Sequence, residues 1–290
     1  MVILDGKLVS KQIKETLKKQ IDTYLNKNYK KPKLAVILIG NDPASELYVS
    51  NKIKACNLVG IESVLLRFGQ NITSEMLSDQ INQLNNDNSV DAILLQLPLP
   101  KHLDEQEFLQ AIDPLKDVDG FHYIYINQGK MLEGYDTIYP CTPIGIINLL
   151  KAYNIDVRSK DITIIGTSNI VGKPLAIMLS NMGATISMCN KNTKSLKKYT
   201  KRSDIVISTT GKQALIKKDM IKKNAIVIDV GIIKDPITNK IVGDVDFENV
   251  KELCSYITPV PGGVGPMTVS MLLENTFKLY KLHIKENYEN

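Results

Sequence analysis

The chain has 290 residues, of which 43% are apolar and 23% charged, and this composition excludes a disordered or fibrous protein. Its 36 basic and 31 acidic residues leave a net charge of +5, which suits an anionic small molecule without requiring nucleic acid. The length allows two α/β domains, each with its own hydrophobic core.

Neither the N-terminus nor the cysteines indicate export. The first residues lack an apolar segment of signal-peptide length, and no later run is long enough for a membrane span. The four cysteines lie far apart, without a CxxC pair or a neighbouring histidine, which indicates reduced thiols rather than a metal site. The most basic stretch, 191–202, has a single tyrosine as an aromatic platform. We therefore expect a cytoplasmic protein that binds no membrane, metal ion or nucleic acid.

The first half of the chain alternates between strand and helix patterns. An apolar stripe formed by Val49, Ile53 and Cys56 predicts a helix over 44–59, which Gly60 ends. Short apolar runs on either side predict strands, at 33–39, 62–68 and 91–97.

The second half has the pattern of a Rossmann-like domain. Its apolar runs are nearly continuous, which is typical of parallel strands covered on both faces. A loop rich in proline and glycine follows at 259–266, and the apolar residues after it have the spacing of a C-terminal helix. The four predicted strands lie at 162–166, 184–189, 205–208 and 225–230.

These patterns predict an α/β fold with two domains. Regular structure is expected to lapse around Gly129 and Gly134, which places a domain boundary after them. An N-terminal α/β substrate domain would cover 1–140, and a Rossmann-like NAD(P)-binding domain would cover 141–265. The C-terminal helix, within 266–290, would return to pack on the first domain, since connections at a domain junction often cross twice.

The first strand of the Rossmann-like half runs into a turn that contains two glycines. A strand, turn and helix in this order direct backbone N–H groups and a helix N-terminus at a phosphate. Serine replaces the second glycine of the usual GxGxxG motif, and the last glycine comes one position late, so a plain tight turn is an equally good interpretation. The candidate phosphate-binding residues are Gly166, Thr167, Ser168, Ile170 and Gly172.

The loop after the second strand of this half concerns the choice of coenzyme. An Asp or Glu normally binds the ribose 2′-hydroxyl of NAD here, but this loop has no acid. Lys191, helped by Thr193 or Lys194, could neutralise a 2′-phosphate, which favours NADP; the alternative is a set of solvated loop lysines. Candidates for the nicotinamide side lie at the ends of later strands, at Thr210, Gly211, Gly231 and Ile232.

In the first half, several polar residues could carry chemistry. Tyr48 and Lys52 are four apart, so they share a helix face, although a lone helical lysine is usually a solvated cation. Gln96 comes just before a proline that stops a strand, at the sheet edge where ligands bind in open α/β folds. Asp117 and Asp119 either form a simple turn or lie on one side of an extended segment. The three histidines stand in no context that predicts a catalytic triad or a zinc site.

Five segments, taken in order, resemble the bifunctional methylenetetrahydrofolate dehydrogenase/cyclohydrolase family. Each motif is weak by itself, but five in the same order along the full chain make a specific match. They are YVSNK at 48–52, QLPLP at 96–100, KDVDGF at 116–121, GTSNIVGKP at 166–174 and TPVPGGVGPMT at 258–268.

The resemblance implies two reactions in one cleft between the domains. The first oxidises 5,10-methylenetetrahydrofolate to the 5,10-methenyl cation with NADP, and the second hydrolyses that cation to 10-formyltetrahydrofolate. By this resemblance Lys52 is the main acid/base group of the hydrolytic step, and Gln96 holds and tunes it. Tyr48 would stack on or orient the folate, and Asp119 would hydrogen-bond the pterin ring.

The resemblance also implies a rigid loop in the cleft and a homodimer. Pro261, Gly262 and Gly263 would give a fixed backbone that a flat pterin or nicotinamide can approach closely. Family members commonly form homodimers through the nucleotide domain, and we expect the same of this chain.

Two other functions compete with this interpretation. An amino-acid or hydroxy-acid dehydrogenase can share the two-domain plan, but it would need arginine anchors for a substrate carboxylate, and Arg67, Arg158 and Arg202 stand in no such motif. A folate- or nucleotide-binding protein without catalytic activity is the second alternative. The presence of both Lys52 and Gln96 argues against it.

Overall fold

The structure, a computed structural model, describes residues 1–122 and 138–289. The expected irregular stretch with Gly129 and Gly134 lies outside the described residues. The chain divides into two compact units. Unit one consists of Met1–Lys11 and Pro140–Met271, and unit two of Gln12–Tyr139 and Leu272–Asn290.

The described residues form the following strands and helices. The strands are β1 (Val2–Ile3), β2 (Lys33–Ile39), β3 (Glu62–Phe68), β4 (Ala92–Leu95), β5 (Asp161–Ile165), β6 (Thr185–Cys189), β7 (Ile205–Ser208), β8 (Ala225–Asp229), β9 (Ile233–Lys234), β10 (Ile241–Val242) and β11 (Cys254–Ile257). The helices are α1 (Gly6–Leu25), α2 (Pro43–Val59), α3 (Ser74–Asn86), α4 (Glu105–Ala111), α5 (Cys141–Ala152), α6 (Gly172–Asn181), α7 (Leu196–Thr200), α8 (Phe247–Val250) and α9 (Val264–Glu289).

Unit two is built on a parallel sheet with the order β3-β2-β4. Its central strand β2 is buried along almost its whole length, which explains why its sequence is a continuous apolar run. The predicted strands at 33–39 and 62–68 are confirmed. The third predicted strand is shorter than 91–97 and ends at Leu95, and the N–H of Gln96 makes the last sheet hydrogen bond, to Ile37 O at 2.9 Å.

Helix α2 follows its predicted boundaries because both of its ends are encoded locally. Asp42 caps the first turn by accepting a hydrogen bond from Ser45 N at 2.8 Å, and Pro43 occupies the first helical position. Gly60 ends the helix with φ +91°, in the left-handed region that favours glycine. Val49 and Cys56 are buried as the apolar stripe predicted.

The C-terminal helix α9 packs within unit two from Leu272 onward, as the sequence predicted. Tyr280 is fully buried, and its hydroxyl donates to Lys30 O at 2.7 Å. The ring of Tyr24 on α1 meets Phe277 edge to face, with 5.4 Å between ring centroids. The helix therefore supplies a large aromatic part of the core of unit two.

Unit one contains a six-stranded parallel sheet with the order β1-β11-β8-β7-β5-β6, and β9 and β10 pair as a separate antiparallel ribbon. The four strands predicted for this half are confirmed within one residue at each end. The edge strand β1 pairs with β11, with Val2 opposite Tyr256. Met1–Lys11 thus belong to unit one, whereas the predicted division assigned 1–140 to the other domain. Two residues are too short for a periodic pattern, so the sequence did not indicate this strand.

The four cysteines, at Cys56, Cys141, Cys189 and Cys254, are all free and buried. Within residues 1–122 and 138–289, no helix has the length and apolar character to cross a membrane. The same described ranges contain no group of three or more His, Cys, Asp or Glu side chains arranged to hold a metal ion.

A buried carboxylate joins α9 to the sheet of unit two. Asp91 is fully buried just before β4, and its Oδ2 accepts a hydrogen bond from Lys33 N at 2.8 Å. Its Oδ1 lies 2.9 Å from Lys30 Nζ and 3.4 Å from His283 Nδ1. One side chain thereby connects β2, β4 and the C-terminal helix.

We expect Asp91→Ala to lower the free energy of unfolding by about 1–3 kcal/mol, because it leaves the buried Lys33 N–H without an acceptor. Asp22→Ala is the control, since Asp22 pairs with Lys18 at 3.2 Å on the surface. That change should stay within about 0.5 kcal/mol. Urea unfolding followed by circular dichroism measures both, and equal losses in the two variants would contradict the role given to Asp91.

Candidate active site

Two of the predicted catalytic residues contact each other in unit two. Lys52 Nζ donates to Gln96 Oε1 at 3.0 Å, although the residues are 44 apart in sequence. Gln96 follows β4 and is 9% exposed, and its amide nitrogen donates to Leu97 O at 2.5 Å, which orients Oε1 toward the lysine. The acceptor that holds this amine is therefore neutral.

Tyr48 lies one helical turn before Lys52 on α2 and is 37% exposed. Burial, and secondarily the carboxylate of Asp42, raise the pKa of its phenol above the usual value. The side chain is therefore a neutral hydroxyl at physiological pH, with part of its ring open to solvent. It can stack on a flat ligand and donate a hydrogen bond.

The segment 116–118 runs beside β4 like a further parallel strand. Ile93 N donates to Lys116 O at 2.7 Å, and Ile93 forms an isolated parallel bridge with Asp117. The bridge brings Asp117 alongside β4, and the half-buried Asp119 follows it by two residues in the direction in which β4 runs.

The two acids of this segment have different environments. Asp117 is 2% exposed, and its carboxylate accepts hydrogen bonds from Gly120 N at 3.1 Å and His122 N at 2.7 Å. Burial raises the pKa of Asp117 to about 7, and the negative charge of Asp119 adds to the effect. Asp117 therefore shapes the turn, and Asp119 is the more accessible acid.

A residue that sequence reasoning missed holds this segment in place. Asn275 on α9 is 8% exposed, and its Nδ2 donates to Val118 O at 2.9 Å and to Tyr139 O at 3.0 Å. One indication of such a residue was present in the sequence, an asparagine within the apolar pattern of Leu273 and Phe277. A buried amide of this kind normally has hydrogen-bond partners, but the sequence does not say which.

In unit one, the turn between β5 and α6 needs both of its glycines. Gly166 has φ +113°, and a Cβ on it would collide with Thr209. A Cβ on Gly172 would collide with the carbonyl oxygen of Gly166. Ser168 Oγ, in place of the second glycine, accepts a hydrogen bond from Val171 N at 3.2 Å and closes the longer turn. The other candidates in this turn are half-buried: Thr167 and Ile170.

The loop after β6 presents its lysines to solvent. Asn190 N donates to Thr193 Oγ1 at 3.0 Å, so the threonine hydroxyl fixes the loop backbone. Lys191 and Lys194 are exposed. The loop can therefore offer positive charge to a ligand at the edge of the sheet.

The candidate nicotinamide residues after β7 are held by an acid that the sequence analysis did not single out. Asp244 Oδ2 accepts hydrogen bonds from Thr210 N at 2.7 Å and from Thr210 Oγ1 at 2.9 Å. The next residue, Gly211, has φ +64°, and a Cβ there would meet no atom within 4 Å. A glycine is thus favoured at this position by the positive φ angle and not by a lack of space for a side chain.

The candidates after β8 are held in a similar way. Gly231 N donates to Asp229 Oδ1 at 2.9 Å, and a Cβ on Gly231 would collide with the Asp244 carboxylate. Burial raises the pKa of Asp229 to about 6. Ile232, the next residue, is 45% exposed and offers an apolar surface at this edge.

The loop at 259–263 is tightly folded. Gly263 N donates to Pro259 O at 2.9 Å, and Gly262 has φ +113°. Lys7 N donates to Gly262 O at 3.1 Å, so the start of α1 holds this loop from outside. Backbone hydrogen bonds therefore hold the loop on both sides of Pro261.

The fold and these residues define a two-domain enzyme that binds a nicotinamide dinucleotide. The family model described as "Tetrahydrofolate dehydrogenase/cyclohydrolase, catalytic domain" matches residues 4–119. The model described as "Tetrahydrofolate dehydrogenase/cyclohydrolase, NAD(P)-binding domain" matches residues 140–284. The chain belongs to the tetrahydrofolate dehydrogenase/cyclohydrolase family, which confirms the resemblance seen in the sequence.

Individual relatives of this family match the chain over nearly its full length. The chain is 99% identical to the "Bifunctional protein FolD" of Mycoplasma mycoides subsp. mycoides SC, over 100% of both chains. A crystal structure of the bifunctional FolD enzyme from Campylobacter jejuni has 50% identity and a TM-score of 0.94, covering 97% of this chain and 99% of that one. The Trypanosoma brucei enzyme, described as complexed with NADP cofactor and inhibitor, has 34% identity and a TM-score of 0.93, covering 98% of each chain. The predictions of an α/β fold and of an enzyme of this class are therefore confirmed.

Titration of Asp117 should be visible in the pH dependence of stability. Its pKa is about 7 in the folded protein against 3.8 for an unperturbed aspartate, so the folded state binds the proton more tightly. The resulting stabilisation is full below the lower value and is lost as the pH rises through the higher one. Asparagine cannot titrate. We therefore expect the stability of Asp117→Asn relative to wild type to increase between about pH 4 and about pH 8.

Thermal unfolding at a series of pH values checks this expectation. A difference between the two proteins that stays constant across the series, or that falls with rising pH, would contradict it.

Proposed function

We propose that this protein oxidises 5,10-methylenetetrahydrofolate to the 5,10-methenyl cation with NADP and hydrolyses the cation to 10-formyltetrahydrofolate. The observation that carries the proposal is the hydrogen bond from Lys52 to Gln96 at the carboxyl edge of the unit-two sheet. Membership of the tetrahydrofolate dehydrogenase/cyclohydrolase family supports the same pair of reactions. It also weighs against the amino-acid or hydroxy-acid dehydrogenase alternative.

The residues of unit one fit a dinucleotide. Helix α6 begins directly at the turn of Gly166 and Gly172, so the positive end of its dipole lies beside this turn and suits a pyrophosphate. The loops with Thr210 and Gly231 lie at the ends of neighbouring strands of the same sheet. When bound, the coenzyme supplies a nicotinamide that accepts a hydride from the one-carbon bridge. The protein contributes positioning and needs no proton donor for that step.

For the hydrolytic step we assign Lys52 the acid/base role. Water attacks the methenyl carbon, and the neutral amine accepts a proton from that water. When the bond from the one-carbon unit to N5 breaks, the hydroxyl becomes the formyl carbonyl, N5 takes the proton that Lys52 accepted, and the hydroxyl proton is released to solvent. A protonated lysine would be repelled by the methenyl cation, so the cation favours the neutral amine. Gln96 holds Nζ without adding a negative charge.

Tyr48 and Asp119 are assigned to the folate. The half-exposed ring of Tyr48 can stack on the pterin or on the aminobenzoyl group, one helical turn from Lys52. Asp119 can accept hydrogen bonds from pterin N–H groups, while Asp117 keeps its turn in shape. Pro261, Gly262 and Gly263 are assigned to a backbone surface that flat ring systems approach.

Two further properties complete the proposal. We assign NADP rather than NAD because the loop after β6 offers Lys191 and no carboxylate, and the Trypanosoma brucei relative is described with NADP. We also assign a cytoplasmic homodimer. The outer strand β6 leaves one sheet edge open, and its Met188 is 39% exposed. A molecular mass of one chain, measured by analytical ultracentrifugation, would refute the dimer.

Lys52→Met should lower the rate of methenyltetrahydrofolate hydrolysis by about 100-fold or more, because it removes the general base. Lys54→Met is the matched control, since Lys54 is an exposed lysine two residues further along the same helix. Methenyltetrahydrofolate decay and NADPH formation, each followed by absorbance, measure the two steps separately. Hydrolysis in Lys52→Met at the wild-type rate would refute the role, and a wild type that binds folate without any turnover would favour a binding protein.

Lys191→Ala should lower kcat/KM for NADP by about tenfold and leave the value for NAD nearly unchanged, because it removes a cation from the 2′-phosphate. Lys223→Ala, which removes an exposed lysine from the same unit, is the control for net charge. Initial rates with both coenzymes measure the ratio. A wild type that prefers NAD, or an equal loss with both coenzymes, would contradict the assignment.

A further inference from the structure

Two buried carboxylates lie together at the carboxyl edge of the unit-one sheet. Asp244 follows the β9–β10 ribbon and is fully buried, and Asp229 ends β8 and is 3% exposed. Isolated buried charges are costly, so groups of this kind normally accept several hydrogen bonds. Both side chains do so here, and their partners lie in the two loops assigned to the nicotinamide.

Asp244 uses both of its oxygens on the loop after β7. Its Oδ2 accepts hydrogen bonds from Ser208 Oγ at 2.7 Å, from Thr210 N at 2.7 Å and from Thr210 Oγ1 at 2.9 Å. Its Oδ1 accepts one from Lys212 N at 2.9 Å. Four donors within five residues therefore converge on one carboxylate. The shape of the loop at 208–212 is set by this side chain.

Asp229 connects Asp244 to the loop after β8. Its Oδ1 accepts hydrogen bonds from Gly231 N and from Asp244 N, both at 2.9 Å, and its Oδ2 accepts one from Val245 N at 2.8 Å. The two carboxylates and the two loops thus form one connected network. A Cβ on Gly243 would collide with the Asp229 carboxylate, which shows how closely the network is packed.

The network also limits what Thr210 can do. Both of its donors, the backbone N–H and the hydroxyl, are directed at Asp244. Thr210 therefore offers a ligand only acceptor oxygens and a methyl group, in positions that Asp244 determines. On the other side of the network, Gly231 is held by Asp229 and contacts Asp244. A displacement of Asp244 would move both candidate surfaces together.

We propose that Asp244 is a positioning residue for hydride transfer, which fixes the loops after β7 and β8 in the shape that binds the nicotinamide end of the coenzyme. The inference rests on the proposed dehydrogenase function. It adds a residue whose effect is confined to that step, because the hydrolytic pair Lys52 and Gln96 lies in unit two.

The test is Asp244→Asn. Asparagine has almost the same shape as aspartate. Its amide nitrogen, however, would face an N–H or O–H group that now donates a hydrogen bond to the carboxylate. Because small misplacements of reacting groups slow a reaction strongly, kcat of the dehydrogenase should fall by about 10- to 100-fold. Hydrolysis of methenyltetrahydrofolate supplied directly should keep the wild-type rate. Asp246→Asn is the matched control, since Asp246 is two residues away and its carboxylate accepts hydrogen bonds from Asn249 Nδ2 and lies 3.6 Å from Lys217 Nζ.

Two binding measurements separate positioning from loss of the domain. Adenosine 2′,5′-bisphosphate, which lacks the nicotinamide half, should bind Asp244→Asn as it binds the wild type, whereas NADPH should bind more weakly. If Asp244→Asn does not fold, Ser208→Ala provides the same test, because it removes one of the four donors to Asp244. It should show a smaller loss, again in the dehydrogenase step alone.

The outcomes are distinguishable. A variant with unchanged dehydrogenase activity, or variants that lose both activities and fragment binding in parallel, would overturn the role of Asp244 and leave the proposed function standing. A wild type that reduces no NADP with methylenetetrahydrofolate would refute the proposed function itself, and the role of Asp244 with it.

Discussion

Parallel strands all end at the same edge of their sheet, and this constraint organises both units of the protein. The chain must leave each strand through a loop at that edge, where the ladder of backbone hydrogen bonds stops. The loops therefore need other partners for their backbone groups. In unit two, Gln96 lies at this edge, and in unit one the turn of Gly166 does so.

Buried carboxylates supply the missing partners in both units. Asp117 accepts backbone hydrogen bonds within its own turn, and Asp229 and Asp244 do so across two neighbouring loops. A carboxylate suits this purpose because it offers two acceptor oxygens and no donor, so several N–H groups can converge on it. The cost of burying the charge is visible in the raised pKa values of Asp117 and Asp229. These acids shape the loops, and more accessible residues lie beside them in the chain.

The pairing of Lys52 with Gln96 follows a different principle. The two side chains come from a helix and from the end of a strand, and a neutral amide rather than an acid holds the amine. The end of a strand and a neighbouring helix thus bring the two side chains of the proposed hydrolytic site together.

The sequence by itself determined the features that local patterns encode. The strands at 33–39 and 205–208 are continuous apolar runs, and α2 carries its own cap at Asp42 and its own stop at Gly60, so both kinds of element were predicted closely. The ordered motifs also identified the family and singled out Lys52 and Gln96. Local spacing alone could not show that these two residues meet.

Only the tertiary structure decided which distant residues bond to one another. The two-residue strand β1 finds its partner in β11 at the other end of the chain, Asn275 holds Val118, and Asp244 holds the loop at 208–212. Local sequence did not identify these partners, because a two-residue strand has no periodicity and a polar residue does not show which group it will bond to. Their roles arise from hydrogen-bonding groups that the folded chain brings together out of water, and this depends on packing rather than on periodicity.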